Sequence, residues 1–204
     1  IFYEGREIGI VKIFKSFIDI GNFFSINNLE VNDLILKKTD FKLNNKDLFF
    51  FEKLLKIEPN ENEIIFKNSN IFFKNFDNEL LFLNKINEGK FYYDSYNLEN
   101  VFASKNEIFN IPYTINVKNN KFRKNLYFKF NSKKIRLDIE SITNYENQKK
   151  QGIVDVLFVN KDESFSYNIN ENSLIFSSED KKKFNGYFDF KPFYLKADFS
   201  YDGV

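Results

Sequence analysis

Ile135-Arg136-Leu137-Asp138-Ile139-Glu140 is the stretch whose reading decides the fold. Its odd positions are apolar and its even positions are charged. Successive side chains of a strand point to opposite faces of a sheet, so this pattern describes a strand with one apolar face and one wet face. The same two-residue period returns in Leu126, Phe128 and Phe130, in Phe165, Tyr167 and Ile169, and in Leu195, Ala197 and Phe199.

Working outward, the second half of the chain is expected to form strands near 113–118, 122–131, 134–143, 152–160, 164–170, 173–178, 184–191 and 194–202. Between them lie turn residues: Asn119-Asn120, Ser132-Lys133, Asn144 to Lys150, Lys161-Asp162, Glu171-Asn172 and the stretch around Asp180. Turn signals at this spacing mark an antiparallel meander. The connections are too short for parallel crossovers, which need about a dozen residues.

The first half is less regular. Ile8, Ile10, Ile18, Ile20 and Leu34 to Leu36 suggest strands with an imperfect period, and Phe41 and Leu43 flank Lys42 at the end of one. Asn45 then stands where an N-cap would, Asp47 follows in the first turn, and Leu48, Phe51, Leu54 and Leu55 recur at helical spacing before Pro59. Asn caps helices well, acids suit their first turn, and proline stops them, so a helix is expected near 46–57. Strands are expected again at 64–74 and 79–86, and a new segment at Gly89. Residues 95–110 fit a helical turn or a loop.

The expected fold is therefore mainly β: a long antiparallel, strongly twisted and curled meander sheet, an open trough or half-barrel, with one short helix. The chain is read as a single β-rich segment, 1–204, and is expected to be a fragment of a longer polypeptide because it opens on Ile1 with no Met anywhere. Residues 1–110 are its irregular part and 111–204 its regular meander.

Composition removes several function classes. Thirty basic side chains stand against 29 acidic ones, which argues against a nucleic-acid footprint or a polybasic membrane patch. With no Cys there is no disulfide framework, and with no His there is neither a Ser-His-Asp triad nor a His-based zinc site. No run of apolar residues is long enough for a membrane-spanning helix. No catalytic group, cofactor or metal is expected. The 28 Phe residues nonetheless carry a large apolar area that must be placed somewhere.

That area poses the central question. A helix of about 12 residues is about 18 Å long and cannot cover ten or so strands about 4.8 Å apart. The sheet must fold over as a sandwich, close as a barrel, or curl around something else. The residues expected on the apolar face are Phe128, Phe130, Ile135, Leu137, Ile139, Phe165, Tyr167, Ile169, Phe188, Phe190 and Phe199. Their size suits a packed core and also a groove for acyl chains.

Candidates for chemistry are few. Asp138 and Glu140, with Arg136 nearby, share a strand face and read as an exposed charged surface, as do Lys196, Asp198 and Asp202. Asp155, among Val154, Val156, Leu157 and Val159, is either a buried acid with a raised pKa or an outward-facing residue. Gly5 and Gly9 are isolated, so there is no phosphate loop, and Tyr127-Phe128-Lys129 is a weak match to a base-stacking surface.

The segment DFKLNNKDLFFFEKLLKIEPNENEIIFKNSNIFFKN, Asp40 to Asn75, resembles the AsmA-like superfamily of periplasmic β-groove proteins, which includes the TamB-like and YhdP-like proteins. NEIFNIPYTINVKN, Asn106 to Asn119, and GYFDFKPFYLKADFSYDGV, Gly186 to Val204, are similar in the way they re-enter the sheet. The resemblance is architectural. It implies a bridge-like role in the envelope of a diderm bacterium, with phospholipid acyl chains as partners along the apolar face. It also implies a periplasmic location and an inner-membrane anchor elsewhere in the parent chain.

Overall fold

Alternating apolar and polar residues build strands through most of the chain. The computed structural model describes residues 1–18, 31–44, 47, 55, 62–75, 77–146, 149–170, 172–178, 184–190 and 193–199. The helix expected near 46–57 lies outside the described residues, apart from Asp47 and Leu55. The chain divides into two compact units, Ile1–Lys121 and Phe122–Val204; the sequence reading drew its line at 110/111.

Unit 1 holds the small hairpin β1 (Phe2–Tyr3) and β2 (Arg6–Glu7) and six longer strands. These are β3 (Gly9–Ile18), β4 (Val31–Asn44), β5 (Glu63–Lys74), β6 (Leu80–Asp94), β7 (Glu99–Ile108) and β8 (Ile111–Asn120), paired in that order. Unit 2 holds β9 (Asn125–Ser132), β10 (Leu137–Glu146), β11 (Lys149–Phe158), β12 (Lys161–Ile169), β13 (Ser173–Ser178), β14 (Phe184–Phe190) and β15 (Phe193–Phe199), again each beside the next. Among the described residues neither run of strands closes on itself as a barrel.

The expectation of a purely antiparallel sheet is corrected at one place. β4 and β5 run parallel, with Leu36 beside Phe66 and Leu43 beside Phe73. The connection 45–62 is long enough for the crossover that a parallel pair requires. Residues 95–110 are corrected too: most of them are β7, paired on both sides, rather than a helical turn or loop. Gly89 opens no new segment but sits inside β6, where an added Cβ would meet the Ile86 Cγ2 at 3.3 Å.

The imperfect period of the first half has a structural cause. Lys38 and Asn68 have positive φ, 54° and 51°. They lie abreast, between the pairs Lys37–Lys67 and Asp40–Asn70. The next strand slips register between Ile86 and Glu88. A left-handed residue inserted in a strand shifts the alternation by one, as in a bulge. One face thus collects Leu34 and Leu36 before the break and Phe41 and Leu43 after it, with Ile64, Phe66, Ile71 and Phe73 beside them. Ile8, Phe41 and Leu43 form the buried cluster of this unit, and Phe66, Ile71 and Phe73 pack against it.

Several expected turns move by a few residues. Asn119 and Asn120 are the buried last residues of β8, and the turn is 121–124. The β11–β12 turn is Val159-Asn160, both with positive φ, and Lys161 already belongs to β12. Such paired left-handed residues make the two-residue hairpin turn whose twist matches the strands. Ile135 is not a strand residue: it lies in the turn 133–136, which Arg136 closes at φ 54°.

Candidate functional site

The registers of unit 2 decide which side chains share a face, because residues directly opposite in adjacent strands point the same way. Phe130 stands opposite Ile139, and Ile139 opposite Val156. Leu137 stands opposite Phe158. One step along, Val154 stands opposite Phe165 and Gly152 opposite Tyr167. Tyr167 then faces Phe176, and Ile169 faces Leu174. Leu174 faces Phe188, and Phe188 faces Leu195. Phe128, opposite Ser141, belongs to the same face.

Phe128, Phe130, Leu137, Ile139, Phe165, Tyr167, Ile169 and Phe188 are therefore brought together on one side of the sheet. Phe190 and Phe199 hold register positions opposite Phe193 and Phe184 in its last pair of strands. Ile135 falls outside this face, for the reason given above. Leu126, Val154, Val156, Leu174, Phe176, Phe184 and Leu195 also belong to it, and the same two-residue count finds them. Lys161 and Glu163 mark its charged end, opposite Phe158 and Val156.

This face is not sealed. Among the described residues, every buried large apolar side chain lies between Ile8 and Val101, in unit 1. Among the described residues of unit 2 the buried side chains are small polar ones, Ser132, Thr143 and Ser178. Most apolar residues of the face are partly buried, while Phe158 and Leu195 are 53% and 61% exposed. Mutual contact supplies what order they have: Phe184 meets Phe165 edge-on at 5.4 Å and Phe176 at 5.2 Å.

Two glycines shape the surface. Gly152 stands opposite Tyr167, and Gly186 opposite Phe176, so in each case an aromatic ring covers a position without a side chain. A Cβ at Gly152 would come within 2.8 Å of the Tyr167 hydroxyl, and one at Gly186 within 2.8 Å of Phe176. By lying across Gly152, Tyr167 reaches strand β10, where its hydroxyl is 2.6 Å from Ser141 Oγ and 2.5 Å from Thr143 Oγ1. The Tyr167 hydroxyl joins the other two, and together they form a polar island in an otherwise apolar surface.

The opposite face carries the charges. Lys129 stands between Glu140, to which it donates a hydrogen bond, and Asp138 at 3.9 Å. Tyr127 donates to Glu140 at 3.2 Å, and Asn131 to Asp138 at 2.8 Å. The Lys129 hydrogen bond holds the Glu140 carboxyl below its usual range, and burial pushes the Tyr127 phenol up, with the charge of Glu140 adding to it. Asp155 is exposed beside Ser164, which fits the outward-facing alternative. Arg136 lies in the turn 133–136, where its N–H donates to the Lys133 carbonyl at 3.4 Å. This face is less polar than the alternation implied, since Ile142, Ile153, Leu157 and Ile175 are all exposed on it. Asp202 lies outside the described residues.

Unit 1 differs in what its interior face contains. Phe102, Ser104 and Asn106 of β7 stand opposite Val117, Ile115 and Tyr113 of β8. Tyr113 donates to Asn84 at 2.7 Å, and Asn106 to Ser104 at 2.8 Å. Burial pushes the Tyr113 phenol up. Asn100 and Asn119, paired across β7 and β8, both donate to the carbonyl of Leu55, at 2.9 and 2.8 Å. At the other end of the same connection, buried Asp47 accepts from Arg6 and from the Asn44 backbone at 2.8 Å. The connection that carries Asp47 and Leu55 is thus tied to unit 1 at two separated points.

Among the described residues no group of three or more acidic side chains could hold a metal ion, and no helix is long and apolar enough to cross a membrane. No family model, curated protein or solved structure matches this chain.

Proposed function

We propose that this chain is an AsmA-like β-groove segment of a diderm cell envelope, and that the apolar face of unit 2 shields phospholipid acyl chains as they pass between inner and outer membranes. On this reading the sheet curls into an open trough in the periplasm, and the parent protein is anchored in the inner membrane by a part outside this sequence. The role needs no catalytic group. The observation that carries it is the row running from Phe130 and Ile139 to Phe188 and Leu195, in which no described large apolar side chain is buried.

The physical warrant is area. Covering a methylene removes apolar surface from water and contributes about 0.8 kcal/mol. An acyl chain lying along the row covers protein and lipid together, and the hydroxyl island at Tyr167 is already hydrogen-bonded internally, so it asks nothing of a passing chain.

The test is mass spectrometry of lipid that co-purifies with the native protein. The parent and the Arg136→Glu variant are expected to carry phospholipid, and Leu137→Asp and Ile139→Asp to lose most of it. Equal lipid in all four proteins would remove the proposal. The second reading, a structural or adhesive β-domain with a packed core and no lipid, draws on unit 1, where Ile8, Phe41 and Leu43 are buried by the chain itself. It expects no lipid in the parent either.

A further inference from the structure

The face of unit 2 that points away from the apolar row carries a second feature, independent of any lipid. Strands β13, β14 and β15 form an open depression there of about 740 Å³. That lies within the range of about 300–1,000 Å³ typical of small-ligand clefts. Its floor is set by register. Ile175, Tyr187 and Lys196 stand abreast on the three strands, and Ser177, Asn185 and Asp198 stand abreast one step along. All six line the depression. A second ring, Tyr194, lies 6.0 Å from Tyr187 at 42° and is half-exposed.

The chemistry of the lining narrows its ligand. Lys196 and Asp198 are 4.0 Å apart and exposed, so their charges offset each other and the site favours neither a phosphate nor a polycation. What remains is a phenol ring beside an isoleucine, bordered by a hydroxyl, an amide, a carboxylate and an ammonium. A phenol ring presents an apolar face with a polar tip. The complementary ligand is neutral, has one flat C–H face, and carries hydroxyls around its rim. A pyranose sugar has that form.

We propose that this depression is a carbohydrate subsite for neutral pyranose units. The sugar's C–H face packs on Tyr187 and Ile175. Its rim hydroxyls donate to Asp198 and accept from Lys196. A glycan free in solution and one carried on a larger molecule present the same chemistry, so the subsite is defined by the sugar ring itself.

The experiment is residue-resolved NMR titration of the whole chain with three neutral oligosaccharides, maltohexaose, cellohexaose and chitohexaose. At least one is expected to shift the amides of 173–177, 185–187 and 194–198 and to leave those of β9 and β10 in place. Tyr187→Ala is expected to weaken that binding at least tenfold, and Asp198→Ala several-fold. Asp198 is a surface position whose replacement leaves the fold intact, so it decides the matter if Tyr187→Ala is unstable. Tyr127→Ala, on the same face but outside the depression, is expected to bind as the parent does. The proposal is overturned if none of the three sugars shifts these amides, if the shifts map elsewhere, or if Asp198→Ala binds like the parent. Lipid content does not enter the readout, so this test and that of the acyl-chain role fail separately.

Discussion

Unit 1 and unit 2 are made of the same material, amphipathic strands rich in Phe and Ile, yet among the described residues only unit 1 buries large apolar side chains. The difference lies in the connections. Unit 1 contains the crossover 45–62, tied down through Asp47 and Leu55, and the β1–β2 hairpin, which brings Ile1 and Tyr3 against Ile8, Phe41 and Leu43. Unit 2 links its strands by short turns such as 133–136 and Val159-Asn160. A turn of that length reverses the chain but has no residues left to lie over a face. Among the described residues, what unit 1 lays against its buried cluster from outside the long strands is Ile1 and Tyr3, and unit 2 shows no counterpart.

The sharpest way to break this comparison is to remove matched side chains. Leu43, 2% exposed, sits in the closed cluster, and Leu43→Ala is expected to cost about 2–5 kcal/mol, the transfer and cavity terms together. Ile139 is only partly buried, and Ile139→Ala is expected to cost less, about 1 kcal/mol. Denaturant unfolding followed by residue-resolved hydrogen exchange reads both. Equal costs would mean that the face of unit 2 is sealed after all.

The glycines reverse the order of the two units. Gly152→Ala drives a methyl against the Ile142 carbonyl and the Tyr167 hydroxyl, and is expected to cost about 1–3 kcal/mol by overpacking. Gly89→Ala in unit 1 meets only side-chain atoms, Ile86 Cγ2 at 3.3 Å and Phe66 Cβ at 3.4 Å, and is expected to cost less. Thermal melts of the two variants settle the ranking. If Gly152→Ala is the milder, the ring of Tyr167 does not lie where it has been placed.

Next in size is the tie at Leu55. Asn100→Ala and Asn119→Ala each remove one donor and are expected to cost about 1 kcal/mol. Each single variant leaves the carbonyl one partner. The double variant removes both of these donors to one shared acceptor, so its cost is expected to exceed the sum of the two singles. A double-mutant cycle on unfolding free energy measures the excess, and simple additivity would show that the two asparagines act apart.

How far these features could be read in advance depended on whether they follow a local rule. The apolar row of unit 2 was legible because period 2 is set by strand geometry, and it holds within the strands that carry Phe128, Ile139, Phe165 and Phe188. It misled only at Ile135, where the turn is closed by Arg136 in a left-handed conformation that no Gly or Asn announces. Left-handed residues inside strands, Lys38 and Asn68, blurred the period of unit 1. The parallel pairing of β4 with β5 was not legible, because nothing in a strand's own residues states which way its neighbour runs. Nor were the buried Asn84, Asn100 and Asn106, since a polar residue held by an interior hydrogen bond reads in sequence like one held by water. The depression at Tyr187 depends on three strands in register, which no single stretch displays.

The smallest expected effect separates the units by the cause of a pKa shift rather than by its direction. Tyr113 and Tyr127 are both pushed up, Tyr113 by burial alone and Tyr127 by burial joined by the charge of Glu140. For each, the folded state favours the neutral phenol. The stability it contributes is fully present below the ordinary tyrosine range, about pH 10, and is lost as pH rises through the raised value. Salt screens charges but leaves desolvation in place. In an NMR-detected alkaline titration, raising the salt is expected to bring Tyr127 part of the way back and to leave Tyr113 where it was. Glu140→Gln is expected to mimic the salt for Tyr127 alone. The change is expected to be well under one pH unit, because Glu140 is partly exposed and pairs of this kind contribute less than about 1 kcal/mol. A salt response at Tyr113 of equal size would mean that charge, not burial, governs the interior of unit 1, and the contrast between a closed unit and an open one would lose its electrostatic half.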